Sequence, residues 1–92
     1  MIGEDKVKAV REYLQGELGG LAIRDHYEPG RKARVFIIES EKRNYEAVVS
    51  HEFFQDHEAG AIPGVLKKFL LAEHLRECAD PILVTAKGLD LA

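Results

Sequence analysis

The sequence predicts an α+β domain of order α-β-β-β-α-β: a three-stranded antiparallel meander plus a C-terminal strand, packed with two main helices. Three observations carry this. Apolar residues recur at helical spacing near residues 4–18 and again at about 63–78. Between them, three short β-type segments are separated by the turn signals "EPGR" and "EKRN". Near the end, "PILVTA" is a short continuous apolar run bounded by "ADP" and Gly88.

In the first helix Val7, Val10, Leu14 and Leu18 form the apolar stripe, with Tyr13 beside them. Glu4 and Asp5 complement the amino end of the helix dipole, and Gly19-Gly20 supplies the stop. The strands follow at 21–28, 33–40 and 45–50. Centring the first hairpin on Pro29-Gly30 sets Ile23 opposite Phe36, Leu21 opposite Ile38, Asp25 opposite Arg34 and Glu28 opposite Arg31. Centring the second on Lys42-Arg43 sets Val49 beside Phe36, Ala47 beside Ile38 and Glu39 opposite Glu46. One sheet face is then Leu21, Ile23, Phe36, Ile38, Ala47 and Val49, which is the expected core. Ser50 reads as the N-cap of a short helical segment, "HEFFQDH". Pro63 suits the first turn of the second main helix, where its missing N–H costs nothing. That helix allows the third and fourth strands to be parallel.

Ninety-two residues make one domain, residues 1–92, at the small end of what folds without staples. A core so thin makes surplus apolar surface informative. The second sheet face carries Ala22, Val35, Ile37 and Val48, fringed by Arg24, His26, Glu39, Glu46 and Ser50, where a wet face should be polar. In the second helix Ile62, Val65, Leu66, Phe69 and Ala72 form one stripe, and Leu71, Leu75 and Cys78 lie away from it. Either the two helices cover opposite faces of the sheet, or apolar surface is left for a partner.

Charge and motifs narrow the chemistry. A formal net charge of −3 argues against a general phosphate-backbone binder, and one cysteine excludes an internal disulfide. The start "MIGEDKVK" does not resemble a signal peptide and no segment is long enough to span a bilayer, so the expected compartment is the cytoplasm. "HEFFQ" at 51–55 falls short of the zinc-protease pattern H-E-x-x-H, because Gln55 stands where the second histidine is needed. His57 lies on another face, so the segment reads as a polar helix start around two core phenylalanines. His74 and Cys78, four apart, give two soft metal ligands without a second pair. Glu39 with Glu46 reads as a solvated sheet end. "GAIPG" is no phosphate cradle, and no cofactor is expected. In "IIESEK" the spacing of Lys42 from Glu39 and Glu41 does not fit a nuclease E-x-K pair.

The favoured reading is a small non-enzymatic binding module acting through protein contact, first of all with a second copy of itself. Its expected interface residues are Val35, Ile37 and Val48 on the sheet, with Leu71 and Leu75 on the helix. The first alternative is nucleic-acid binding through Arg31, Lys32 and Arg34 at the first hairpin turn. Its weakness is the point at which the second helix begins, where "GAIPGVLKK" follows the acidic "FFQDHEAG". The second is a small metal-dependent enzyme or metal-binding protein.

Overall fold

Helix α1 spans Glu4–Glu17 in the computed structural model, which describes residues 3–78 and 80–91. Met1, Ile2, Ala79 of the expected "ADP" stop and Ala92 lie outside the described residues. Val7, Val10, Tyr13 and Leu14 are buried along one stripe of α1, as their spacing requires. Gly19 and Gly20 take φ of 74° and 75°, and the Gly20 N–H returns to the Gln15 carbonyl at 2.8 Å. That bond closes the helix in the manner glycine favours. The last turn of α1 has no basic residue of its own, and Arg76 donates from elsewhere to the Glu17 carbonyl.

Strands β1 (Ala22–Glu28), β2 (Ala33–Glu39) and β3 (Asn44–Ser50) form the expected antiparallel meander. Both hairpins have four-residue loops rather than the expected two, so the register moves by two. Ile23 faces Ile38, Asp25 faces Phe36, and Tyr27 faces Arg34. Across the second hairpin Phe36 faces Ala47, Ile38 faces Tyr45, and Glu39 faces Asn44. A shift of two keeps every side chain on its expected face, where a shift of one would invert them all. The loops have local causes. Arg31 N–H bonds to Glu28 O and Lys32 N–H to Pro29 O, with Lys32 at φ 50° closing the loop in the left-handed region. In the second loop the Ser40 hydroxyl both donates to the Arg43 carbonyl and accepts from the Arg43 N–H.

Helix α2 (His51–Asp56) starts at Ser50, whose hydroxyl accepts from the Phe53 N–H at 3.2 Å. Phe53 and Phe54 enter the core, and Lys6 Nζ donates to the Phe54 carbonyl at 2.6 Å. The expected second main helix is two helices, α3 (Ile62–Lys68) and α4 (Leu71–Glu77). Leu70 breaks it with φ 61° and ψ 39°, a left-handed conformation costly for a residue with a Cβ. The break turns α4 so that Leu71, Ala72 and Leu75 share a core with Ile62 and Leu66. Two stripes that diverge on a straight helix thereby converge. Tyr13 holds the joint: its hydroxyl accepts from the Ala72 N–H at 3.2 Å and reaches the Leu66 carbonyl at 3.4 Å. An otherwise unpaired N–H in the first turn of α4 is thus satisfied.

Strand β4 (Ile82–Thr85) lies parallel to β3, Val48 facing Leu83. The stretch after Gly88, expected as a tail, is instead an edge strand, β5 (Gly88–Leu91), antiparallel to β4. The Thr85 hydroxyl builds its tight turn by accepting from the Lys87 and Gly88 N–H groups and donating to the Gly88 carbonyl. The sheet order is β1-β2-β3-β4-β5. Side chains from all four helices join Phe36, Ile38, Ala47, Val49, Ile82 and Val84 in one core. Each large side chain fully buried there contributes roughly 1.5–3 kcal/mol. Among the described residues no helix side chain joins the cluster on the other face. The helices therefore share one side of the sheet rather than taking one each.

Candidate functional site

The helix-free face of the sheet is built by strand alternation. β2 presents Ala33, Val35, Ile37 and Glu39; β3 presents Glu46, Val48 and Ser50; β4 presents Leu83, and β5 Asp90 opposite it. Ala33, Val35 and Val48 form a buried cluster with Ile37 and Leu83 packed against it. Val35 and Val48 are each 1% exposed, sealed by their neighbours on the sheet. Ile37 and Leu83 remain half-buried and give the strip its accessible apolar surface. On its β1 side stand Arg24, bonded to Glu39 at 2.9 Å, and His26, 3.2 Å from Glu28. Glu46 and Asp90 stand on the other side.

The expected interface residues thus separate. Val35, Ile37 and Val48 come together on this face, but Val35 and Val48 are sealed within the single chain and Ile37 alone of the three offers surface. Leu71 and Leu75 are 0% and 1% exposed within the single chain and offer no surface. Glu39 and Glu46 are diagonal rather than opposite, since Glu46 faces Ile37.

The basic hairpin turn is largely engaged. Arg31 binds Glu28 at 3.0 Å and Arg34 binds Asp25, which leaves Lys32 without an ion pair among the described residues. The Glu28–Arg31 and Asp25–Arg34 pairs read from the sequence both form, the first inside the loop and the second across a diagonal of the sheet.

His51 and His57 are half-buried at the two ends of α2, His57 stacked 4.7 Å from Phe53. His74 and Cys78 line a shallow depression of about 310 Å³ with Ile82, Leu89 and Asp90. Among the described residues no three His, Cys, Asp or Glu side chains form a set able to hold a metal ion. No helix among them is long and apolar enough to cross a membrane.

One constellation escaped the sequence reading. The Asp25 carboxylate, on the core side of β1, is 3% exposed and receives two guanidinium groups, Arg11 from α1 and Arg34 from β2. Arg34 reaches it through Nε at 2.9 Å and through a terminal nitrogen as well. A carboxylate this buried is tolerated only when paired and hydrogen-bonded. Asp25 at an apolar-phase position of β1 is the signal; its partner Arg11 stands fourteen residues away and gives none.

Comparison of the chain with protein-family models, with curated proteins and with solved structures finds no match in any of the three.

Proposed function

We propose that the chain is a non-enzymatic binding module that works in the cytoplasm through its helix-free sheet face, with a second copy of itself as partner. The observation that supports this is the pair Ile37 and Leu83, half-buried over the sealed cluster of Ala33, Val35 and Val48 in the middle of a face to which no helix among the described residues contributes. A face evolved only for water carries polar residues at such positions. The charges around the strip suit self-pairing. A two-fold axis running along the strands sets β1 of one copy over β4 and β5 of the other. That brings the β1 margin, with Arg24 and His26, over the β5 margin, with Asp90, and the strip meets its own image.

Light scattering on the eluting protein tests the reading. The wild-type chain is expected at twice the protomer mass at micromolar concentration. Ile37→Lys is expected to give a folded monomer, since the half-buried site lets the lysine stem lie along the strip and its ammonium reach water. A wild-type chain that stays monomeric at every concentration rejects the reading, as does an Ile37→Lys variant that remains a dimer.

A further inference from the structure

A second feature lies on the opposite side of the sheet, where α1 crosses the β1 edge. A cleft of about 730 Å³ opens there, lined by Arg11 and Arg34 together with Glu4, Asp5, Lys8 and Glu12. Its volume falls in the range of small-molecule sites. The Asp25 carboxylate, which is not in the lining, holds both guanidinium groups in place. Two arginines on one carboxylate leave one positive charge uncompensated. The Arg11 and Arg34 side chains are 39% and 29% exposed, so part of each stays open to solvent beside the cleft. Guanidinium donors fixed in this way suit a planar carboxylate.

The wall has the opposite balance. Glu4, Asp5 and Glu12 outnumber Lys8, and Glu4, Lys8 and Glu12 make no ion pair or side-chain hydrogen bond with the described residues. A polyphosphate or nucleotide entering this cleft would meet those carboxylates. A ligand carrying one carboxylate and one ammonium meets complementary charge at both ends.

We propose that this cleft binds a small zwitterion of the α-amino acid class, its carboxylate on Arg11 and Arg34 and its ammonium toward Glu12 and Glu4. The sheet face and this cleft are independent, so either stands if the other falls.

Titration of the full chain by heteronuclear NMR tests the proposal, with each of the common L-amino acids as probe and with acetate, methylamine and inorganic phosphate as comparisons. At least one amino acid is expected to shift the side-chain N–H resonances of Arg11 and Arg34 saturably in the millimolar range or below. Acetate and methylamine, each matching one end only, are expected to bind at least about threefold more weakly, the factor an exposed ionic contact supplies. Glu12→Gln, on the exposed side of α1, is expected to fold normally and to lose about threefold in affinity for the same amino acid. Arg11→Gln is expected to abolish binding, with the backbone spectrum reporting whether it folds. No saturable shift with any amino acid overturns the proposal. So does phosphate or acetate binding as tightly as the best amino acid, or full affinity in folded Glu12→Gln.

Discussion

In the segment 62–77 an apolar surplus is folded onto the shared core, whereas on the outer face of β2 and β3 it stays apart from that core, with Val35 and Val48 closed over by their neighbours and Ile37 left half-buried. The difference lies in what each element is free to do. A helix can break, and α3 and α4 use a left-handed Leu70 to swing Leu71 and Leu75 onto the core already formed by Ile62 and Leu66. A strand in the middle of a sheet has no such freedom. β2 is paired on both sides, and alternation sends Val35 and Ile37 away from the helices whatever their hydrophobicity. Apolar residues at an adjustable element report on local folding; at a constrained one they report on what covers the face.

Truncations on the two sides should separate these regions most sharply. Leu75→Ala removes a fully buried side chain from between helices and sheet, and is expected to cost about 2–5 kcal/mol. Val48→Ala is equally buried by area but opens toward the helix-free face, where water can refill the space. The expected cost in the separate protomer is about 1–1.5 kcal/mol, the transfer of two methyl groups. Urea denaturation of both variants at low and high protein concentration makes the comparison. If the outer face is shared between copies, the Val48→Ala deficit grows with concentration and the Leu75→Ala deficit does not. Equal deficits at all concentrations would erase the distinction between the two regions.

What the sequence made legible follows the same division. Face assignments in the meander came through intact although both hairpins were placed two residues short. The period of two carries the face, while loop length rests on details such as the Ser40 hydroxyl and the left-handed Lys32. The break at Leu70 left no mark, because "KKFLLAEHL" contains neither glycine nor proline and every residue in it suits a helix. Strand β5 was too short to read: "GLDL" follows a turn whose Thr85 anchor looks like one more strand residue. In the ion triad Asp25–Arg34 was visible as opposite charge across a hairpin. Arg11 was not, because its place depends on where α1 docks.

The joint between α3 and α4 permits a finer test. Tyr13→Phe removes the acceptor for the Ala72 N–H while keeping the ring, leaving a buried donor unpaired at an expected cost of about 1–2 kcal/mol. It should also change the response to alkali. Burial holds the Tyr13 phenol above its ordinary value of 10.0, against the smaller opposite effect of the Ala72 hydrogen bond, with Glu17 and Glu73 adding to the rise. The folded chain therefore keeps this proton where the unfolded chain has lost it. Its contribution to stability is complete below pH 10 and falls as pH rises through the folded-state value. The stability difference between wild type and Tyr13→Phe should narrow above pH 10; a constant difference would remove burial of the phenol as the cause.

The smallest effect is the most direct probe of the break itself. Leu70 is 49% exposed and left-handed, so its side chain gains little packing while its Cβ strains the backbone. Leu70→Gly relieves about 1–2 kcal/mol of that strain and returns about 0.5–1 kcal/mol through the greater freedom of the unfolded chain. The net expectation is a gain of about 0.5 kcal/mol, read as a modest rise in melting temperature with an unchanged spectrum. Such a gain means that the break is imposed from outside, by Tyr13 below it and by the two apolar stripes it brings together. A loss would mean that the Leu70 side chain holds the bend in place. The surplus in 62–77 would then be resolved by one exposed leucine rather than by the core, and the contrast with the outer face of β2 would lose its physical basis.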